Sequence, residues 1–149
     1  MDRRKFLGLG LVATALVPAS LSALDFRKEK PDAWSAHNVD DAIKALYGDV
    51  KPTPSEDISL NVPKIASNGG AIPVSIKSSI DGKSVAIFQD ANPESAVAVY
   101  TLVEGSIIDF MTKIKMKASG SITIVVEDKA GKLFSTTKKL EVALGGCEG

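Results

Sequence analysis

The sequence predicts a mainly β protein: an immunoglobulin-like β-sandwich of about seven strands, with a short N-terminal helix and a flexible C-terminal glycine-cysteine arm. Three observations carry this expectation. From Ile58 onward apolar residues recur with a period of 2, the side-chain spacing of a half-buried strand. Turn-forming residues interrupt that alternation at short intervals. Helical spacing is confined to one window, Val39 to Tyr47, so no helices intervene between the strands.

The chain opens with Asp2-Arg3-Arg4-Lys5-Phe6-Leu7, a twin-arginine pattern, followed by an apolar run from Leu7 to Val17 and small residues at Ser20, Ser22 and Ala23. The run is about a dozen residues, short of the roughly 20 that cross a bilayer. Residues 1–23 are therefore read as a cleaved signal peptide for twin-arginine export to the periplasm, and no membrane anchor is expected. That pathway carries folded proteins, which points to a partner subunit acquired before export.

Residues 24–37 are polar and irregular and read as an N-terminal arm. A helix follows. Asn38 is a good N-cap with Asp41 three residues on, Val39, Ala42, Ile43, Leu46 and Tyr47 form one apolar stripe, and Gly48 is a natural stop. So short a helix is marginal alone, and its stripe must pack on something. Lys51-Pro52-Thr53-Pro54 then breaks the chain into a linker.

The expected strands are 58–62, 71–77, 83–89, 96–103, 107–116, 121–127 and 132–143. Between them lie Asn68-Gly69-Gly70, Asp81-Gly82, Asp90-Ala91-Asn92-Pro93, Glu104-Gly105, Ser119-Gly120 and Asp128-Lys129-Ala130-Gly131. Ile108, Phe110, Thr112, Ile114 and Met116 form one inward row, and Ile122, Ile124 and Val126 another. Pro73 lacks an N–H, which places its strand at an edge or Pro73 at the strand's start. Ala96-Val97-Ala98-Val99-Tyr100 is apolar on both faces, so either the helix or a second β-protein covers it. The organisation is thus 1–23 signal peptide, 24–37 arm, 38–144 helix plus sandwich domain and 145–149 C-terminal arm.

The chain has 18 basic and 18 acidic residues; without residues 1–23 it has 15 and 17, a net charge of −2. That excludes general affinity for nucleic acid or anionic membrane. About 125 residues remain, enough for one domain with its own core. A single cysteine excludes an internal disulfide, so packing alone holds the fold.

That cysteine, Cys147, stands in Leu144-Gly145-Gly146-Cys147-Glu148-Gly149. Gly145 and Gly146 form a thin stalk, which extends roughly 10 Å from Leu144 to Cys147. The geometry suits a group that enters another protein's active site. Thiolate is the nucleophile, and a cysteine titrating near 8.5 is only slightly ionised at neutral pH. Glu148 and the terminal carboxylate disfavour ionisation further, so reactivity must come from the enzyme visited. An exposed thiol can reversibly bear an oxidised sulfur adduct, which makes a covalent carrier. A thiol redox enzyme would want a resolving cysteine and an activating base, and neither is present. A non-catalytic scaffold or binding module in a periplasmic complex is the alternative, and it would be indifferent to Cys147→Ser.

Other residues attract plainer readings. His37 has no metal-ligand spacing around it and reads as a surface residue beside the helix cap. Asp40 and Asp41 suit the positive end of a helix dipole. Lys113, Lys115 and Lys117 read as a solvated strand face, and Asn68-Gly69-Gly70 as a turn, since no phosphate-loop lysine follows.

Taken together, these features resemble the SoxY family of sulfur carriers in thiosulfate oxidation. The resemblance covers nearly the whole chain: the twin-arginine signal, Asp41-Ala42-Ile43-Lys44-Ala45-Leu46, Ile58 to Ala66, Pro73-Val74, Asn92-Pro93, Thr112 to Met116 and the tail. The family typically ends Gly-Gly-Cys-Gly-Gly; Gly145, Gly146, Cys147 and Gly149 match, and Glu148 replaces a glycine. The resemblance implies a covalent sulfur adduct on Cys147, a flexible arm of Gly145, Gly146, Glu148 and Gly149, and no cofactor or metal. It also implies a heterodimer with a SoxZ-like subunit and transient contact with haem-containing and metal-dependent enzymes. The chain itself is then a carrier and not an enzyme.

Overall fold

The structure, a computed structural model, describes residues 25–143. The expected signal segment 1–23 and the arm with Gly145, Gly146, Cys147, Glu148 and Gly149 lie outside the described residues.

Three helices lead the chain: α1 (Phe26–Glu29), α2 (Pro31–Ser35) and α3 (Val39–Tyr47). The first two correct the expectation of an irregular arm. Asp25 caps α1 by accepting from Arg27 N at 3.2 Å, and Pro31 occupies the first turn of α2, where its missing N–H costs nothing. Ala33 is fully buried, and the Arg27 guanidinium lies 4.3 Å from the centre of the Trp34 ring. In α3, Asn38 accepts from Asp41 N at 2.9 Å and donates through Nδ2 to Asp41 Oδ2 at 2.6 Å. Gly48, at φ +81°, ends the helix with its N–H on Lys44 O. Ala42, Ile43 and Leu46 are buried, as the stripe predicts.

The strands are β1 (Thr53–Pro54), β2 (Ile58–Asn61), β3 (Ile65–Ala66), β4 (Ile72–Ser78), β5 (Gly82–Gln89), β6 (Ala96–Thr101), β7 (Ile108–Ile114), β8 (Gly120–Asp128) and β9 (Leu133–Val142). Seven of them answer to the seven expected. β1 and β3, two residues each, pair in parallel with β9. One sheet runs β1-β9-β8-β5-β6 with β3 also on β9, and the other β2-β4-β7.

Facing rows fill the space between the sheets. Val85, Ile87, Ile122, Ile124, Val126 and Leu140 meet Ile58, Leu60, Ile72, Val74, Ile76, Ile108 and Ile114. The opposite side of the larger sheet is also dry: Ala86, Phe88, Val125 and Leu133 pack with Ala33, Ala42, Ile43 and Leu46 of the helices. β5 is therefore buried on both faces, which explains its nearly continuous apolar run. The molecule is a β-sandwich with a helical layer on one sheet.

β4 is central in its sheet, which corrects the edge placement of Pro73. The alternative holds: Pro73 is the strand's second residue, and the β2 ladder begins only at Ser75. β6 pairs only with β5 among the described residues. Its Ala96 and Val99 touch the helical layer, while Val97 and Tyr100 touch the inter-sheet core. The helical layer, through α2 and not the expected helix α3, which packs on β5, thus covers one of its faces, and among the described residues its edge is unpaired.

Candidate functional site

The candidate site is the end of the sandwich where β9 runs out toward Cys147. Three successive backbone N–H groups hold that strand end. Glu141 N donates to Lys64 O at 2.8 Å, Val142 N to Ser119 Oγ at 2.9 Å, and Ala143 N to Ala66 O at 2.9 Å. Leu140, immediately before them, is buried in the core. The β8·β9 ladder ends at Gly120↔Leu140, so beyond it a serine hydroxyl takes the place of a strand carbonyl.

Ser119 belongs to a connection that is itself fastened. Met116, fully buried, donates its N–H to Gly69 O at 2.9 Å. Asn92 bridges across: its Nδ2 donates to Lys115 O at 2.8 Å and its Oδ1 accepts from Lys117 N at 2.9 Å. The Asn92 loop is held in turn by Gln89. This fully buried side chain donates to Glu94 O at 2.7 Å and accepts from Ala91 N and Asn92 N at 2.7 and 2.6 Å. Asp90 Oδ1 accepts from Ser121 N at 2.6 Å, and a Cβ on Gly120 would fall on that same oxygen. A side chain there would displace the Asp90 carboxylate from Ser121 N and crowd Ala91.

Exposed charges around this end are mixed. Lys64, Lys117 and Lys139 stand among Asp90 and Glu141, so no single sign dominates. His37 donates from Nδ1 to Pro93 O at 2.9 Å, a structural role beside the helix cap. Among the described residues no group of three or more His, Cys, Asp and Glu side chains is placed to hold a metal ion. Lys113, Lys115 and Lys117 are exposed, as expected.

The sequence-predicted site residues, Gly145 to Gly149 with Cys147, lie outside the described residues. What the structure adds is their foundation: Gln89, Asn92, Ser119 and the segment Lys64–Ala66. Asn92 and Ser119 each carried a local signal as turn residues, but the bond from Ser119 to the strand end was not legible, because its partner is 23 residues away in sequence.

The model of one family, described as sulfur oxidation protein SoxY, matches residues 43–147 and so reaches Cys147. Comparison with curated proteins gives no match. Among solved structures, the sulfur carrier protein SoxY from Chlorobium limicola f thiosulfatophilum is similar at 29% identity. That match covers 70% of this chain and 96% of that one, with a TM-score of 0.64. Two structures of the superoxide reductase (neelaredoxin) of Ignicoccus hospitalis, at 13% and 11% identity, both reach a TM-score of 0.52. They cover 64% and 59% of this chain and 83% and 81% of theirs, a likeness of fold alone.

Proposed function

The chain belongs to the SoxY family of sulfur oxidation proteins, and on that premise we propose that it is a sulfur carrier with Cys147 as its covalent attachment point. The observation that carries this reading is the family match itself, which extends to the chain's single cysteine. The similar protein from Chlorobium limicola, named as a sulfur carrier, supports it.

Loading joins the Cys147 sulfur to the outer sulfur of thiosulfate. A new S–S bond forms, the thiol proton passes to solvent, and two electrons leave to a haem-containing partner enzyme. Metal-dependent partners then hydrolyse or oxidise the bound sulfur. The chain acts as carrier and not as catalyst; its contribution is a tethered thiol and a rigid platform. The twin-arginine pattern at Arg3-Arg4 supports export to the periplasm. A SoxZ-like subunit completes a heterodimer. The uncharged open edge of β6 and the exposed Val103, Ile107 and Met111 support a partner of some kind.

The test is Cys147→Ser in a reconstituted thiosulfate-oxidising system. Turnover is expected to vanish while thermal unfolding of the variant matches the parent. Retained turnover would support the scaffold reading instead.

A further inference from the structure

We infer that Ser119 is a positioning residue: its hydroxyl clamps the end of β9 and so fixes the point at which the carrier tail leaves the sandwich. The inference rests on the carrier reading above. In an extended strand successive N–H groups point to opposite sides. Those of Glu141 and Ala143 reach the carbonyls of Lys64 and Ala66 on the β3 side, while that of Val142 reaches Ser119 Oγ on the β8 side. The strand end is thus gripped from both edges through its last described residue.

The β3 grip alone is weak, because β3 is two residues long and its pairing is parallel. Ser119 is itself exposed, yet its loop is pinned by Asn92 and, through it, by buried Gln89. Without the hydroxyl, Val142 loses its partner on the β8 side and the last residues of β9 open. A tether of four residues from Ala143 to Cys147 would then lengthen by about two or three. Effective concentration at a fixed target falls roughly as the −3/2 power of tether length, so about a twofold loss follows. The thiol's own chemistry is untouched.

The experiment uses the full mature chain as parent, Ser119→Ala and Ser119→Thr. Amide exchange at Val142 and Ala143 should quicken about tenfold in Ser119→Ala, with the melting temperature held. Threonine keeps the hydroxyl and should restore protection. With the haem-containing loading enzyme and thiosulfate, Ser119→Ala should lose about twofold in kcat with KM for the carrier unchanged. Alkylation of Cys147 by iodoacetamide should proceed at the parent rate. Unchanged amide exchange, or quickened exchange with unchanged kcat, overturns the inference and leaves the carrier reading standing. Absence of loading in the parent strikes at the carrier reading, while the exchange data still judge the clamp.

Discussion

Gln89 occupies the most demanding polar position in the fold. It sits at the end of a strand buried on both faces, and its amide satisfies one carbonyl and two N–H groups of the Asp90–Glu94 loop. Gln89→Leu keeps the volume and strands all three partners. The expected cost is about 2–4 kcal/mol, read as a lower urea midpoint at unchanged m; a loss below about 1 kcal/mol would mean the loop is held otherwise. Glu148 belongs to the same scale. On the proposed carrier reading, its carboxylate would add bulk and like charge beside an anionic adduct, so Glu148→Gly should preserve or raise turnover with partner enzymes. A collapse of turnover would show that Glu148 is specifically recognised. Single residues were legible where their chemistry is local: Asn38 as cap and Gly48 as stop. Gln89 and Ser119 were not, because their roles depend on loops brought together only by the sandwich.

Elements depend on one another through a few polar ties as well as packing. Tyr47 at the end of α3 shares a hydrogen bond with Ser84 at 3.1 Å, and Ser84 donates to Glu127, which also pairs with Lys83 at 3.0 Å. Burial disfavours the Tyr47 phenolate and pushes its pKa up to about 12, against 10.0 for a free tyrosine. The folded protein therefore keeps a proton that the unfolded chain releases. This contribution is fully present below pH 10 and is lost as pH rises through about 12, with a total change of roughly 2–3 kcal/mol. Denaturation midpoints taken from pH 9 to 12 should fall more steeply for the parent than for Tyr47→Phe, since lysine titration affects both alike. Parallel slopes would mean that the hydroxyl is solvated. Long elements were readable because periodicity needs length: α3 and the seven strands each carry a repeated spacing. α1, α2, β1 and β3 span two to five residues and carry none. Their order comes from caps, a proline and pairing with β9. Pro73 misled only in part, since its strand is central but the proline stands where the β2 ladder has not begun.

At the scale of the molecule, two packed layers of apolar contacts hold the sandwich, and hydrogen bonds to Lys64, Ala66 and Ser119 fasten the end of β9. The loops beside that strand end are joined by hydrogen bonds through Gln89 and Asn92. A carrier needs such a division: a stable body, a defined exit point, and chemistry supplied from outside. The most direct measurement is peptide-resolved mass spectrometry of the protein from cells oxidising thiosulfate. The account predicts reductant-sensitive sulfur adducts confined to the C-terminal peptide that contains Cys147. An unmodified terminus in actively oxidising cells, or equal adducts on Cys147→Ser protein, would contradict it.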